Sequence, residues 1–516
     1  MHAHPRPALI ACLLAAWLGG LAPGLRAQEH LELDQVPITP LNLAPPSLPD
    51  LSGYTAEAVQ AKIRRSPAGR AVTARMLGED SLNEFIGGKD RLREWVVRQH
   101  QMPMAIFVEG GYMTLAQLAR SLPRSALAEV SPGTYLLRLP LVVRPGATLH
   151  IDKSVKELRL SQEAGAFLVN DGQLFVTGTR LTAWREKSGT PAWYDGHPET
   201  FRPYLIAWGG THTYIVDSVV TSFGYSASKA YGVSISQYSP GMSPLMKRSR
   251  PSGWLLNSEF IDHWYGFYCY EADDVVVLGN TYRDNIVYGI DPHDRSRRLI
   301  IAGNETFGTR KKHGIIVSRE VTDSWIIHNR SHDNHLSGIV VDRSSVNNLV
   351  AYNDVVRNQS DGITIYESPS TLIYGNRVLG NQRHGIRVRN SLNVRVYKNL
   401  VAGNRLLGIY AHTKDLTGTH RNLTLDPFDP RVSLQVVGDK LIGNGSGPIS
   451  ADSPRSLRLY NVDMLAPSKA SGISLRGILG EDQPRLLDLL VRQKQAVLVR
   501  NQDDATDDTP NKARHP

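Results

Sequence analysis

A glycine recurs every 23–25 residues in the second half of this 516-residue chain. An asparagine stands nine or ten residues before each of these glycines, from Asn257 to Asn399, and a second asparagine marks another turn in most units. A period of this length predicts a solenoid in which each repeat is one coil. The aligned glycines are Gly266, Gly289, Gly314, Gly338, Gly362, Gly385 and Gly408.

The repeats favour β-structure over the leucine-rich alternative of similar length. Leucine-rich repeats need leucines at fixed positions and a helical half, and these units have neither. They are rich in β-branched residues and turn formers, which predicts an all-β fold, a parallel β-helix. Asparagine tolerates left-handed turns and its amides can stack from coil to coil, so we interpret the asparagines as architectural.

The remaining segments divide the chain into predicted units. Residues 1–27 combine Arg6 with an apolar run that ends at Pro23, which is typical of a cleaved signal peptide and too short for a membrane span. Residues 28–128 are a proline-rich segment followed by a small helical cap, with helical patterns at 55–63, 81–85, 91–99 and 114–122. The β-helix is predicted over 129–480, clearest at 254–414, followed by a cap helix at 481–500, centred on 484–499, and a disordered tail at 501–516.

The cysteine content agrees with export but adds little to it, and the charge bears on the choice of partners. The formal net charge of +9 indicates a modest preference for polyanions, or only ordinary solubility. Cys12 leaves with the signal peptide, so Cys269 has no intrachain partner. We expect no nucleic-acid partner and no stable membrane span. Insertions at 185–202, with Trp193 and Tyr194, and at 242–252 are binding loops or plain surface loops.

Aligned positions of a β-helix become physical columns, because coils stack about 4.8 Å apart. Residues one and three after each glycine are mostly apolar and are predicted to point inward, so the alternate positions point outward. This outward face suits a linear acidic polysaccharide. Its column four after the glycine contains Tyr270, His293, Ser318, Asp342, Tyr366, Arg389 and His412.

The segment 288–294 is the strongest candidate for a reaction centre. His293 has acids on both sides and Arg319 one coil away, so it is a candidate base with a carboxylate clamp beside it. Asp291 and Asp294 are predicted to orient the imidazole or to bind sugar hydroxyls. The alternative is a solvated polar face with incidental ion pairs. Pro292 interrupts a central strand, and broken local rules cluster at functional sites.

The motif Asp291-Pro292-His293-Asp294, preceded by Tyr288-Gly289 within these repeats, resembles the periplasmic mannuronan C5-epimerases of bacterial alginate biosynthesis. The resemblance covers most of the mature chain. It implies a right-handed parallel β-helix, a periplasmic location and conversion of poly-β-D-mannuronate to α-L-guluronate within the polymer. It implies His293 as the base, Arg319 as the residue that neutralises the carboxylate, and Tyr288 beside the reacting sugar.

The resemblance also sets expectations for ligands and partners. No Gly-Gly-x-Gly-x-Asp calcium repeat occurs, so we expect no metal and no cofactor. Polymannuronate or alginate is the expected partner, together with proteins of the periplasmic export complex. The identity of the general acid is left open, with Tyr288 and a water molecule as the two candidates. The residues predicted to bind substrate are Pro292, Lys312, Arg343, Asp342, Tyr268, Tyr366 and Arg389.

Three other functions fit the same residues. A polyuronate lyase would use the same base and arginine, since the carbanion at C5 can expel O4. A glycoside hydrolase would need a pair of carboxylates, for which Asp291 and Asp294 are candidates. A non-catalytic scaffold of the export complex would bind the polysaccharide on the same outward face without catalysing a reaction.

Overall fold

The computed structural model describes residues 31–36, 44–77, 79–86, 91–239 and 248–501. Three sheets, here called A, B and C, run side by side along the molecule, and each coil of the solenoid contributes one strand to each sheet. Neighbouring strands within the solenoid pair in parallel. The predicted all-β parallel β-helix is therefore confirmed. The signal peptide predicted at 1–27 and residues 502–516 of the predicted tail lie outside the described residues.

The strands of the three sheets follow one another around the coil. Sheet A contains Leu31–Val36, Gly111–Thr114, Ala147–Ile151, Gln173–Thr177, His212–Val216, Ser252–Leu256, Val276–Leu278, Ile300–Ala302, Trp325–Ile327, Leu349–Ala351, Leu372–Tyr374, Val394–Tyr397, Ser433–Val437, Ser456–Tyr460 and Ala496–Asn501. Sheet B contains Arg70–Arg75, Met104–Glu109, Leu141–Val143, Leu168–Asn170, Leu205–Ala207, Gly232–Ser236, Tyr265–Tyr270, Tyr288–His293, Ile315–Ser318, Ile339–Asp342, Ile363–Tyr366, Ile386–Arg389, Leu407–His412, Gly447–Ala451 and Arg476–Gly477. Sheet C contains Leu127–Ser131, Thr134–Leu137, Glu157–Ser161, Arg180–Arg185, Thr190–Pro191, Val219–Thr221, Glu259–Ile261, Thr281–Arg283, Glu305–Phe307, Arg330–His332, Asp354–Val356, Arg377–Leu379, Leu400–Ala402, Lys440–Ile442 and Asp463–Leu465.

The glycine column allows the coils to stack closely. A Cβ atom on Gly289 would lie 2.5 Å from the carbonyl oxygen of Gly314, and one on Gly338 would lie 2.4 Å from Cγ1 of Val355. Any larger residue would therefore force the coils apart. The residue after each glycine points into the core as predicted, and Ile290 is fully buried.

Two asparagine ladders run along the turns, as the sequence predicted. The Nδ2 of Asn304 donates to Oδ1 of Asn329 at 2.9 Å, and the same link repeats from coil to coil. One residue of the predicted first column was wrong. Ser258, and not Asn257, stands opposite Asn280, because its backbone N–H donates to the Asn280 Oδ1 at 2.9 Å. Asn257 has a φ of 47° and occupies the preceding left-handed turn position.

The N-terminal region contains short helices together with strands, and the solenoid begins earlier than residue 129. Strand Met104–Glu109 already pairs in parallel with Leu141–Val143, and its four consecutive apolar residues at 105–108 are fully buried in the first coil. Strand Arg70–Arg75 then covers the edge of sheet B in antiparallel pairing. The helices are Ala56–Ala61, Asn83–Ile86 after a 3-10 turn at Asp80–Leu82, Arg91–Gln99 and Leu115–Ser121.

The C-terminal cap differs from the helix predicted at 484–499. Helical turns cover Ile478–Gly480, Gln483–Leu487 and Asp488–Arg492, and the chain then forms strand Ala496–Asn501. That strand pairs antiparallel with both Leu31–Val36 and Ser456–Tyr460. The four consecutive apolar residues at 496–499 are all buried in this strand, and the strand closes the open sheet edge. None of the helices in the described ranges is long and apolar enough to cross a bilayer.

Candidate active site

The predicted outward column is correct in register along sheet B. Tyr270 pairs with His293, His293 with Ser318, and Ser318 with Asp342. The column continues in order through Tyr366, Arg389 and His412. At Pro292 the ladder toward the next coil is interrupted, since only Ile290 and His293 of this strand pair with Ile315–Ser318. The chain therefore departs from regular pairing at the motif.

His293 is held by the next residue in the chain. Its Nδ1 hydrogen-bonds Oδ2 of Asp294, whose backbone turns into the left-handed region at φ 37°. Burial lowers the pKa of His293, but the hydrogen bond to Asp294 and the charges of Asp291 and Asp294 outweigh it, so the pKa is raised above 6.5. The imidazole is 22% exposed. With Nδ1 engaged, Nε2 is the ring nitrogen that remains for a ligand.

Asp294 stays ionised in this setting. Burial raises its pKa, but the hydrogen bond to His293 and the charges of His293 and Arg319 prevail and lower it. Its Oδ1 lies 3.8 Å from Nη1 of Arg319. The carboxylate therefore links the imidazole to the guanidinium on the next coil.

Arg319 and Arg343 share a carboxylate that the sequence prediction missed. Asp426 Oδ2 lies 3.0 Å from Nη2 of Arg319 and 3.6 Å from Nη1 of Arg343. The Nε of Arg319 is buried and has no hydrogen-bond partner within the described part of the chain. Arg319 is 38% exposed. Arg319 thus presents positive charge beside His293, and Arg343 is joined to it through the shared carboxylate of Asp426.

Asp426 comes from a segment that interrupts the repeat. The step between the stacked residues Asn404 and Asn444 is 40 residues, compared with 23 for the coil before it. The inserted chain lies against sheet B, where Nη1 of Arg421 contacts Oε2 of Glu367 at 2.7 Å. The lengthened step was visible in the sequence, but it carries no information about where the extra residues fold.

Asp291 is buried although its column faces outward. It is 2% exposed, and its Oδ1 lacks a hydrogen-bond partner among the residues described. Burial raises its pKa to about 7. Its register neighbour Tyr268 is also buried, because the ring of Tyr231 covers it in an edge contact at 4.9 Å. The floor of the site is therefore less open than the strand alternation predicted.

Tyr288 lies at the opposite end of the same strand from His293. Lys312 Nζ donates to its hydroxyl at 3.1 Å, and the ring stacks on His313 at 6.0 Å. Burial raises the pKa of Tyr288, so the phenol stays protonated at neutral pH. Tyr265 contacts Tyr288 edge-on, with ring centroids 5.0 Å apart. A row of aromatic rings thus flanks the strand that carries His293.

The other predicted residues lie farther along sheet B. Asp342 contacts Nε of Arg343 at 3.4 Å, and burial raises its pKa to about 6. Tyr366 lies under the guanidinium of Arg389, whose Cζ is 3.8 Å from the ring centroid. These residues extend the charged and aromatic surface of sheet B beyond His293, whereas the predicted residues Tyr268 and Asp291 are buried beneath it. Among the described residues, no group of three or more histidines, cysteines or acids is arranged to hold a metal ion.

Fold and site together define a parallel β-helix protein with a linked histidine, aspartate and arginine on one sheet. Residues 265–423 match the family model described as a right handed beta helix region. The chain is 65% identical over 480 residues to a mannuronan C5-epimerase of Pseudomonas aeruginosa, covering 93% of this chain and 88% of the relative. It is 58% identical to the mannuronan C5-epimerase of Pseudomonas putida, covering 97% and 98% of the two chains.

A solved structure gives the same result. The crystal structure of the periplasmic alginate epimerase AlgG superposes with a TM-score of 0.81 at 54% identity, covering 82% of this chain and all of that one. The chain belongs to the mannuronan C5-epimerase family.

Proposed function

We propose that this protein epimerises β-D-mannuronate to α-L-guluronate at C5 within polymannuronate, in the periplasm, during alginate synthesis. Its relatives carry this activity in their names at 58–65% identity, and one is described as periplasmic. The observation that carries the proposal is the arrangement of His293, whose Nδ1 is fixed by Asp294 while Arg319 lies one coil away.

The first requirement of the reaction is neutralisation of the sugar carboxylate. The C5 proton lies next to that carboxylate, so its removal builds negative charge on a group that is already an anion. Arg319 meets this need through its planar guanidinium, since the side chain is 38% exposed. Arg343 supplies a second positive charge nearby, because Arg319 and Arg343 both contact the carboxylate of Asp426.

The second step is removal of the C5 proton. His293 accepts it at Nε2, since Nδ1 is engaged with Asp294. The Asp294 carboxylate stabilises the imidazolium that forms, as a buried acid does for a catalytic histidine in general. The electron pair of the broken C–H bond moves into the carboxylate that Arg319 holds.

The third step returns a proton to the opposite face of C5. Tyr288 is protonated because burial raises its pKa, and it lies at the far end of the strand from His293. We assign it as the proton donor, with Lys312 hydrogen-bonded to its hydroxyl as the group that stabilises the resulting phenolate. Inversion at C5 needs the acid and the base on opposite faces of the sugar, so the proposal requires the reacting residue to lie between Tyr288 and His293.

Lyase chemistry is the competing outcome of the same intermediate. The carbanion at C5 either takes a proton from Tyr288 or expels O4. Incubation of the purified protein with polymannuronate tests the proposal, with proton NMR and ultraviolet absorbance followed together. We expect guluronate signals without loss of chain length. Growth of an unsaturated product that absorbs in the ultraviolet would instead identify a lyase.

We also infer that the enzyme works beside proteins of the alginate export complex. The support is the family resemblance together with the predicted signal peptide at 1–27. Crosslinking in intact cells, followed by mass spectrometry of the captured proteins, tests this. Capture of no export protein under conditions that crosslink known periplasmic neighbours would contradict it.

A further inference from the structure

A second group of side chains lies next to Tyr288 and has no role in the three steps above. Lys311 Nζ is 3.2 Å from the hydroxyl of Tyr194, and it lies over the rings of Tyr194 and Trp264 at 5.4 and 5.0 Å. Trp193, the residue before Tyr194, is 45% exposed. Tyr194 and Trp193 belong to the 185–202 insertion, which contributes nothing to the His293 centre.

This group continues directly into the proposed active site. The rings of Tyr194 and Trp264 are 5.9 Å apart, Trp264 stacks on Tyr265 at 6.5 Å, and Tyr265 contacts Tyr288 at 5.0 Å. Lys311 and Lys312 are consecutive, and they reach Tyr194 and Tyr288 respectively. One row of aromatic rings, with two exposed lysines above it, therefore runs outward from the reacting position.

The insertion is fixed in place by a buried ion network. Asp262 is 1% exposed and accepts the backbone N–H of Tyr194 at 3.0 Å. Its carboxylate also binds Arg202 at 2.8 Å and Arg310 at 3.0 Å. Arg202 is the last residue of the insertion and Arg310 precedes Lys311. The carboxylate of Asp262 therefore anchors both the insertion and the segment that carries Lys311. The rings and the lysine are thereby held in a fixed relative position.

We propose that Trp193, Tyr194 and Lys311 form a subsite for a uronate residue of the polymer, next to the residue that reacts at His293. The ammonium group of Lys311 pairs with the carboxylate of that sugar. The exposed ring of Trp193 packs against the apolar face of the pyranose through dispersion contacts. The polymer thus crosses the edge of sheet B at this point and continues over the insertion.

This subsite deepens the proposed function and rests on it, so both are tested together. The variants are Lys311→Gln, which removes the charge, and Trp193→Ala, which removes the exposed ring. Lys398→Gln is the matched control, because Lys398 is an exposed lysine over the ring of Tyr374 at 5.6 Å, in a coil remote from the site. Initial rates of guluronate formation from polymannuronate are measured by proton NMR at several polymer concentrations and at low and high ionic strength.

We expect each variant to raise KM roughly three- to tenfold while kcat changes less than about twofold, since a partly exposed ionic or stacking contact has this effect. The increase for Lys311→Gln should shrink at high salt, and the Lys398→Gln protein should match the wild type. Titration of a mannuronate oligomer onto His293→Ala protein, with and without Lys311→Gln, should show the same loss of affinity without turnover.

An unchanged KM in both variants would overturn the subsite, and so would a fall in kcat at constant KM. Failure of the proposed function has a different signature, because the wild type itself would then produce no guluronate. Lys311 and Trp193 are both exposed, so thermal unfolding of their variants should match the wild type, and the comparison of KM stays interpretable.

Discussion

Replacement of Asp294 by asparagine tests the electrostatics of the site in detail. The Asp294 carboxylate is 15% exposed and hydrogen-bonds Nδ1 of His293, while Arg319 lies 3.8 Å from its other oxygen. A hydrogen bond between charged groups contributes about 1.5–3 kcal/mol, and one pKa unit corresponds to about 1.4 kcal/mol. Its loss should therefore lower the pKa of His293, because the hydrogen bond and the negative charge that favour the imidazolium are both removed.

The direction follows from the groups around the imidazole. Burial already lowers the pKa of His293, and Asp294 is a principal reason that the pKa is raised overall. A base must be neutral, so the activity of the wild type should rise with pH through the raised pKa of His293. In Asp294→Asn that rise should move to lower pH, and the plateau rate should fall roughly 10- to 100-fold because the weaker, unanchored base reacts more slowly.

The assay is the pH dependence of kcat/KM for polymannuronate, followed by proton NMR. Asp333→Asn is the matched control, since Asp333 Oδ2 binds Nδ1 of the preceding His332 at 2.6 Å on sheet C. That variant should keep the profile of the wild type. An acid limb that stays in place in Asp294→Asn, or that moves to higher pH, would refute the account of how His293 is tuned.

Three further substitutions probe the neighbouring charges. Arg319→Lys keeps the charge but loses the planar guanidinium, so kcat should fall roughly 100-fold with the fold intact; activity close to the wild type would exclude a neutralising role. Asp426→Asn releases both arginines and should lower kcat about tenfold, whereas the exposed Asp429→Asn should have no effect, and equal rates for the two would contradict the shared clamp. Burial raises the pKa of Asp291 from 3.8 to about 7, so the folded state retains a proton and its stability falls as pH rises between those values. Asp291→Asn should therefore increase the free energy of unfolding above pH 7 by on the order of 4 kcal/mol and leave it unchanged near pH 4, as measured by thermal unfolding; no pH-dependent gain would refute the burial argument.

The features that could be predicted from the sequence are those that the repeat determines, namely the register of the coils and the direction of the side chains. Coils stack in register, so the spacing of the glycines placed His293 beside Ser318 and brought Arg319 within one coil of Asp294. The inward alternation was equally predictable, because a β-strand has a fixed period of two. One asparagine at 257 was assigned to the wrong turn position, since two adjacent polar residues fit the same spacing.

Contacts between segments that are distant in the sequence could not be predicted from the repeat. Asp426 reaches Arg319 from 107 residues away, through an insertion that carries no periodic signal. Strand Ala496–Asn501 pairs with Leu31–Val36 at the opposite end of the chain, and its local pattern suited a helix equally well. The burial of Tyr268, the register neighbour of Asp291, depends on Tyr231, which lies one coil earlier than Tyr268 and outside the clear repeat. Tertiary packing decided each of these cases.

The role of His293 as the base that removes the C5 proton is tested most directly by exchange of that proton with solvent. Polymannuronate is incubated in deuterium oxide with the wild type and with His293→Gln, and the C5 proton signals are followed by NMR. The account predicts deuterium at C5 of every new guluronate residue with the wild type, and neither exchange nor guluronate with His293→Gln, while thermal unfolding of the two proteins agrees. Exchange at C5 that persists in His293→Gln would contradict it.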